Sequence, residues 1–494
     1  MIPLTWFGAV EGSGASETQN ATALAALSSY LAEKRYLHLY VPEGKWFTAG
    51  ETTIVIPSPG GLHLSGGGQA VSSLCFNTGG LTIAAADQGD DGTRGNSITV
   101  SDLDLLCTAG TTHDALTVTG GRAVAGRTTP GAVVRHVNIR SYDSTGGLIH
   151  WYRGIVCTRN INPRFFNVTV DPINGKHCLY LHGAAPNHAP IDVVIDQCGF
   201  YATAGEGRAH VLIEGAVEGV HMTDCTSIGS DLTLKWIAAQ DAKYPWLSFT
   251  NNHCVGTNGL DIDRVSDGNV RNNEIFVLGM PDQEAYGLRL RNSQHATLPD
   301  LDPSDWDISG NLFGGRDEPG LIHHGVLAEQ LTDSVIGRNR FRGLRGADVL
   351  LGSDTRQVTV EWKPRRSASA VSLGVVDRGQ GNGNPMYLGR GPYGHGIVSF
   401  RAQELPNDGT LGFAAALQAG HLLLRDGSVG SMAQLGVSGG APTILWESPP
   451  GVFVTTDPGS GSGKWWVQGW AITNRTGAPR VIELIAEDAQ GGRM

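Results

Sequence analysis

The sequence predicts an all-β chain built as a parallel β-helix, a solenoid of short stacked strands. Three observations lead there. Gly supplies 69 of the 494 residues; at that density and without a collagen period, turns are many and strands are short. Two strand patterns recur in alternation from about residue 98 to about residue 360. Helical periodicity is nearly absent between the copies, so the crossover helices of an α/β sheet are missing.

The first recurring strand reads Val133–Ile139, Phe165–Val170 and Val193–Asp196, with further copies starting at His221, Leu247, Val270, Asp307 and Ile336. Later copies set an Asn at one corner: Asn252-His253-Cys254, Asn273-Glu274-Ile275, Asn311-Leu312-Phe313 and Asn339-Arg340-Phe341. Asn residues at the same corner of successive coils can stack and bond one another. A second strand follows each first one: Ile155–Thr158, Leu179–His182, Val211–Glu214, Leu232–Lys235, Leu260–Asp263, Leu288–Arg291 and Val326–Glu329. Its first and third positions are apolar in every copy and its second and fourth are mixed or polar, the alternation of a strand with one buried face. A β-sandwich of the same strands is the competing arrangement; a register kept over so many copies favours the solenoid.

The N-terminus reads as a unit. Trp6–Val10 is expected as a short strand, and Ser16-Glu17-Thr18-Gln19 fits a capping box. Ala23, Leu24, Leu27, Tyr30 and Leu31 form one apolar helical stripe. A strand at Tyr36–Val41, a turn at Pro42-Glu43-Gly44 and a strand from Lys45 to Thr48 follow. FGA, a capped helix and then LYVPEGKW resembles the N-terminal signature of the pectate-lyase-like superfamily over residues 6 to about 50, and the repeats extend the resemblance to about residue 360. The resemblance implies a right-handed solenoid whose open end is plugged by the N-terminal helix. The expected divisions are 1–50 for the N-terminal strand and capping helix, 51–365 for the β-helix, 366–396 for Gly-rich linker or loops, and 397–494 for a C-terminal antiparallel β-domain serving trimerisation or sugar binding. Trp465, Trp466 and Trp470 lie in that last part and read more readily as core or subunit contact than as a sugar platform.

Composition excludes several classes. A net charge of −11 argues against nucleic acid, whose phosphates need a basic face. The seven Cys lack paired spacings and read as reduced and buried, neither a disulfide framework nor a zinc site. No cofactor and no metal ion are expected; Asp87, Asp90 and Asp91 read as a solvated loop. Met1–Val10 has no basic region followed by an apolar core, and no apolar run is long enough to cross a membrane. Synthesis in a cytoplasm without a signal peptide, and no membrane insertion, are expected.

If neighbouring coils stack at about 4.8 Å, the second strands form outward columns. The fourth position runs His182, Glu214, Lys235, Asp263, Arg291, Glu329, and the second runs Tyr180, Leu212, Thr233, Asp261, Arg289, Leu327. Asp261, Asp263 and Glu214 are the candidate catalytic residues; His182, Lys235, Arg289, Arg291 and Tyr180 are the candidate substrate-binding residues. Inverting glycosidases set two carboxyls about 6.5–9.5 Å apart. Asp261 and Asp263 alternate along one strand, about 7 Å apart, and Asp263 and Glu214 lie two coils apart, about 9.6 Å. Lys235, Arg289 and Arg291 equally suit elimination on a uronic acid, where a cation must neutralise the carboxylate. A charge ladder that only stabilises a solvated face remains the structural reading.

The whole pattern resembles tailspikes, homotrimers of parallel β-helices followed by a C-terminal β-domain. That resemblance implies a receptor-binding spike on a phage or phage-like particle that binds bacterial surface polysaccharide, capsule or lipopolysaccharide, and depolymerises it as a glycoside hydrolase or lyase. Attachment would run through the short N-terminus or an adaptor protein. A binding-only spike on a phage or gene-transfer-agent-like particle, and a free bacterial polysaccharide lyase or hydrolase, are the alternatives.

Overall fold

A computed structural model describes residues 1–361 apart from 13–15, 87–95, 110–111, 121–129, 142–150, 172–174, 202–207, 282, 317–320, 353 and the side chain of Asn187; beyond 361 it describes the backbone of strand residues only. Asp87, Asp90 and Asp91, most of the Gly-rich stretch from 378 to 396, and the side chains of Trp465, Trp466 and Trp470 lie outside the described residues. The chain divides into two compact units, Met1–Gly268 and Asn269–Met494.

In the first unit every coil carries three strands, not two. One face stacks Tyr36–Tyr40 on Gly60–Ser65 and then on the start of Asn96–Cys107. The next face stacks Gly44–Thr48 on Ser72–Phe76 and on the end of Asn96–Cys107. The third stacks Asp114–Thr119, Arg153–Thr158, His177–Gly183, Ala209–Gly215, the end of Thr226–Ala238 and the end of His253–Asp263. All of these pairings are parallel and in register, so the chain is a parallel β-helix.

What reads in sequence as one first strand is two strands bent at a single residue in the left-handed region. Asp102, His136, Asn167, Gln197, Asp224 and Asn251 hold φ between 48° and 58° at that bend. Short polar side chains tolerate this region because they can bond locally. The residue after the bend points inward: Leu103, Val137 and Val168 stack as an apolar column, continued by buried Cys198, Cys225 and Asn252. There the Cys198 amide donates to Cys225 Sγ at 3.4 Å, and the Cys225 amide to Asn252 Oδ1 at 2.9 Å. The Cys are free and buried.

The N-terminal helix forms over Ser16–Lys34 and buries Ala23, Leu24, Leu27 and Leu31. Three expectations change. Trp6–Val10 is not a strand; Leu4–Phe7 is a 3-10 turn ended by Gly8 at φ 92°. Ser16 is the first helical residue and its hydroxyl donates to Gly12 O, while Gln19 reaches Gly8 O, so the two polar groups tie the helix to the preceding loop instead of forming a capping box. Tyr30 sits at the stripe's edge, half-buried, packed edge-on against Trp6 and Phe7 at 5.8 and 5.5 Å. A buried Asn20 anchors the helix: it accepts from the Val10 amide and donates to Val10 O and Phe47 O. Asn20→Ala removes all three bonds and is expected to cost about 1–2 kcal/mol, measured as a lower midpoint in denaturant.

The second unit repeats the three-strand coil. Glu284–Arg291 pairs with Ile322–Ala328, and that strand with Val349–Leu351; Glu274–Val277 pairs with Leu312–Gly315, and that with Arg340–Arg342. The Asn corner is present as expected. Asn311 Oδ1 accepts from the amide and side chain of Asn273, and Asn339 Oδ1 accepts from the amide and side chain of Asn311. Beyond Val371 most of the described strand pairings are antiparallel, as in Ala419–Asp426 with Ser431–Ser438 and with Arg480–Asp488, while Val454–Thr455 pairs parallel with the strand from Trp465.

Candidate functional site

The third face of the first unit carries a polar and aromatic cluster on four adjacent coils. Leu179 and Leu181 point into the core, so Tyr180 and His182 point outward; on the next coil Val211 and Ile213 point inward and Glu214 outward. Register sets Tyr180 beside Leu212 and His182 beside Glu214. The Tyr180 hydroxyl donates to Glu214 Oε2 at 2.8 Å and lies 3.2 Å from His182 Nδ1. Because that hydroxyl has one proton, the bond from His182 is an imidazole N–H donating to the phenol oxygen. On the preceding coil Arg153 forks onto Asp114, with Nε–Oδ1 2.7 Å and Nη2–Oδ2 2.9 Å, and its guanidinium lies 4.8 Å from the Tyr180 ring centre. His177 starts the same strand as Tyr180, its ring 6.2 Å from the Tyr180 ring, and its Nδ1 donates to Ala209 O.

The electrostatics follow from this packing. Burial, then the hydrogen bond to Glu214 and its negative charge, push the Tyr180 phenol up to about 12. Tyr180 therefore stays protonated and remains a donor to Glu214 across the neutral range. Burial lowers the His177 imidazole below its usual value. Tyr180, His182 and Glu214 are half-buried, each with an edge open to solvent.

Lys235 departs from the expected column. It pairs with Leu212 and Asp261, while Ile237 stands between Glu214 and Asp263. The strand reads Leu232-Thr233-Leu234-Lys235-Trp236, and a slip of two residues leaves Leu232, Leu234 and Trp236 all inward, so alternation alone does not detect it. An irregularity between Ile228 and Ser230 precedes this stretch and shifts the register by one residue. Thr233 accordingly leaves the Tyr180–Asp261 column, and Lys235 no longer neighbours Glu214. Glu214 and Asp263 keep their expected spacing of two coils, about 9.6 Å. Asp261 and Asp263 are nearly closed to solvent, with 4% and 3% of their surface exposed, and Asp263 Oδ1 lies 3.4 Å from Arg264 Nε.

Arg289 and Arg291 belong to the second unit. Arg289 pairs with Glu329, its Nε 2.6 Å from Oε1, and its guanidinium lies 5.5 Å from the Tyr286 ring centre. Sequence reasoning passed over Glu284. It accepts from Nε2 of buried His324 at 2.7 Å, while His324 Nδ1 accepts from the Ala347 amide, which fixes the proton on Nε2. That bond holds the Glu284 carboxyl below its usual range. Among the described residues no group of three or more His, Cys, Asp or Glu could hold a metal ion.

Arg153 and Asp114 were also missed, because they sit at strand starts where the alternation used to find outward positions breaks down. A further buried group, His210, has Nδ1 against the hydroxyls of Ser227 and Ser230 and no partner for Nε2. Burial lowers its pKa to about 3. The unfolded imidazole takes up a proton below about 6.5 while the folded one stays neutral down to about 3. Acid therefore favours the unfolded chain, and stability contributed above pH 6.5 is lost as pH falls towards 3, by at most about 1.4 kcal/mol per pH unit from this group. Unfolding midpoints measured from pH 7 to pH 4 should fall less steeply in His210→Gln than in the unaltered chain.

No family model matches the chain, and no curated protein matches it. Among solved structures it is similar to the A-module of the mannuronan C-5 epimerase AlgE4 of Azotobacter vinelandii, at 14% identity over 70% of this chain and 96% of that one, TM-score 0.47. It is similar to a tailspike protein of E. coli bacteriophage HK620 in complex with a pentasaccharide, at 10% identity over 99% and 93%, TM-score 0.49. The Agl-KA catalytic domain follows at 13% identity over 73% and 68%, TM-score 0.42. The parallel β-helix itself is established by the strand register of this chain.

Proposed function

We propose that the protein is a receptor-binding spike of a phage or phage-like particle, which binds bacterial surface polysaccharide on the third face of its first unit and depolymerises it there. The observation that carries this reading is the Tyr180–His182–Glu214 cluster. It offers an aromatic ring for a sugar, with an imidazole and a solvent-reachable carboxylate each within hydrogen-bonding distance of the Tyr180 hydroxyl, on a rigid sheet. Glu214 is the group placed to exchange a proton with the sugar, Tyr180 orients it, and His182 contacts substrate. Lys235 and Asp261, paired across adjacent coils, extend the same face. The N-terminal resemblance to the pectate-lyase-like superfamily supports the same reading. In it residues 397–494 form a C-terminal β-domain that holds a homotrimer together, and the particle is met at the N-terminus or through an adaptor.

A binding-only spike is the second reading, and one observation favours it. Asp261 and Asp263, the acids that would partner Glu214 in an inverting pair, are closed to solvent, and Glu214 is already engaged by Tyr180. Incubation with surface polysaccharides from candidate hosts separates the two. Falling polymer size with new reducing ends is the result expected of a depolymerase, and ultraviolet absorbance of the products marks elimination. Retention without shortening makes it a binding spike, and neither retention nor shortening on any polymer removes both readings.

A further inference from the structure

The first face of the first unit, begun by Tyr36–Tyr40, runs on through Arg164, Val194 and His221 in one outward column. The column beside it holds Asp192, Gly219 and Trp246, placed by the flanking pairs of three successive coils. Gly219, at φ 65°, has no side chain to fill the space between its two neighbours. A Cβ there would lie 2.7 Å from Trp246 Nε1 and 3.3 Å from Asp192 Oδ1, so the two atoms face each other across the width of one missing side chain. The Trp246 indole is half-buried and packs edge-to-face on His221, with ring centres 4.3 Å apart, while Asp192 is exposed.

The chemistry of this notch selects its occupant. Trp246 Nε1–H can only donate, and the Asp192 carboxylate can only accept. Among the described residues neither is hydrogen-bonded to the protein. A group that satisfies both must accept from one and donate to the other. A hydroxyl does so, and its oxygen spans the gap with bonds of about 2.7–2.9 Å. A carboxylate or phosphate has no proton to give and meets a like charge at Asp192, and an ammonium has no lone pair to offer. Burial lowers the His221 imidazole, while Asp192 raises it and Arg164 lowers it. Charges of both signs therefore border the notch, which again suits a neutral ligand.

We propose that the notch is a second sugar subsite, which takes a neutral pyranose with one hydroxyl between Trp246 Nε1 and Asp192 and its ring beside the indole. The inference deepens the proposed function, on which it rests for the source of the sugar. Glu214 and Gly219 belong to one coil, with residues 215–218 between them. A polymer long enough to round this corner fills both subsites, and the second contact then acts at a raised effective concentration. A short fragment held by the Tyr180 cluster occupies the third face alone.

The test is a nuclear magnetic resonance titration of the full chain, isotopically labelled at the tryptophan nitrogens. The probes are methyl α-glucoside, methyl α-galactoside and methyl α-mannoside, with sodium glucuronate as the anionic comparison. The indole signal missing from Trp246→Phe assigns Trp246. At least one neutral glycoside is expected to shift that signal saturably, with glucuronate binding more weakly. Asp192→Gly is expected to weaken the glycoside by about tenfold or more, the worth of a hydrogen bond to a charged group. Glycine suits the φ of 53° at Asp192, so this variant is expected to fold. No shift with any neutral glycoside, equal affinity in Asp192→Gly, or glucuronate binding at least as tightly overturns the inference. Polymer retained or shortened with Trp246 unmoved by every glycoside sinks this inference alone. Glycoside binding at Trp246 without retention or shortening of any polymer sinks the proposed function alone.

Discussion

Glu214→Gln is expected to slow depolymerisation by about 100- to 10,000-fold, the span that a positioned proton-transfer group contributes, while polysaccharide stays bound. The substitution suits the site. Glutamine keeps an oxygen that can accept from the Tyr180 hydroxyl 2.8 Å away, so the cluster holds its shape and only the exchangeable proton is lost. A loss of binding with unchanged turnover per bound polymer would mean that Glu214 holds the sugar and does not act on it. Unchanged turnover and unchanged binding would remove the cluster from consideration. Asp263→Asn supplies the contrast. Its carboxylate is nearly closed to solvent, so the effect on turnover is expected to be smaller than that of Glu214→Gln; an equal effect would mean that the face opens during catalysis and that the spaced pair does the work.

The largest effect on stability is expected at the corner of the second unit. Asn311→Ala deletes two bonds accepted by Oδ1, from the Asn273 amide and side chain, and two donated by Nδ2, to Val270 O and Asn339 Oδ1. All of these groups are buried. Each orphaned partner loses its bond without regaining water, so the cost is the desolvation of several groups and not the modest net worth of one hydrogen bond. About 3 kcal/mol is expected, read from the denaturant midpoint of the second unit's transition. Arg338→Ala, which removes an exposed ion pair to Glu361, should stay within about 0.5 kcal/mol. Similar shifts for the two variants would show that the ladder follows the fold without holding it.

The solenoid was legible because its physics is periodic. Inward Leu179, Leu181, Val211 and Ile213 alternate with outward partners, and a strand with one buried face cannot hide that. The Asn corner was legible for a related reason: Asn273, Asn311 and Asn339 recur at one place because each must bond the next. The third strand of each coil was not. His136 or Asn167 in the left-handed region bends the chain and stretches the inward spacing only from two residues to three, Val134 to Val137 and Phe165 to Val168, so two strands read as one.

The site was legible in part. Tyr180, His182 and Glu214 fell in the right columns because no insertion separates their coils in the strand. Lys235 was displaced, because a two-residue slip preserves every inward residue. Arg153 and Asp114 escaped because they stand at the first residues of their strands, where alternation does not assign an outward direction. The burial of Asp261 and Asp263 also escaped, since alternation assigns a direction and says nothing of what covers a side chain.

The central claim is that polysaccharide lies on the third face of the first unit. Hydrogen exchange of the full chain with and without an oligosaccharide fragment of the bound polymer tests it most directly. Protection confined to 175–183, 208–215 and the adjoining strand around Arg153 is the expected result. Protection elsewhere with these strands unchanged would contradict it.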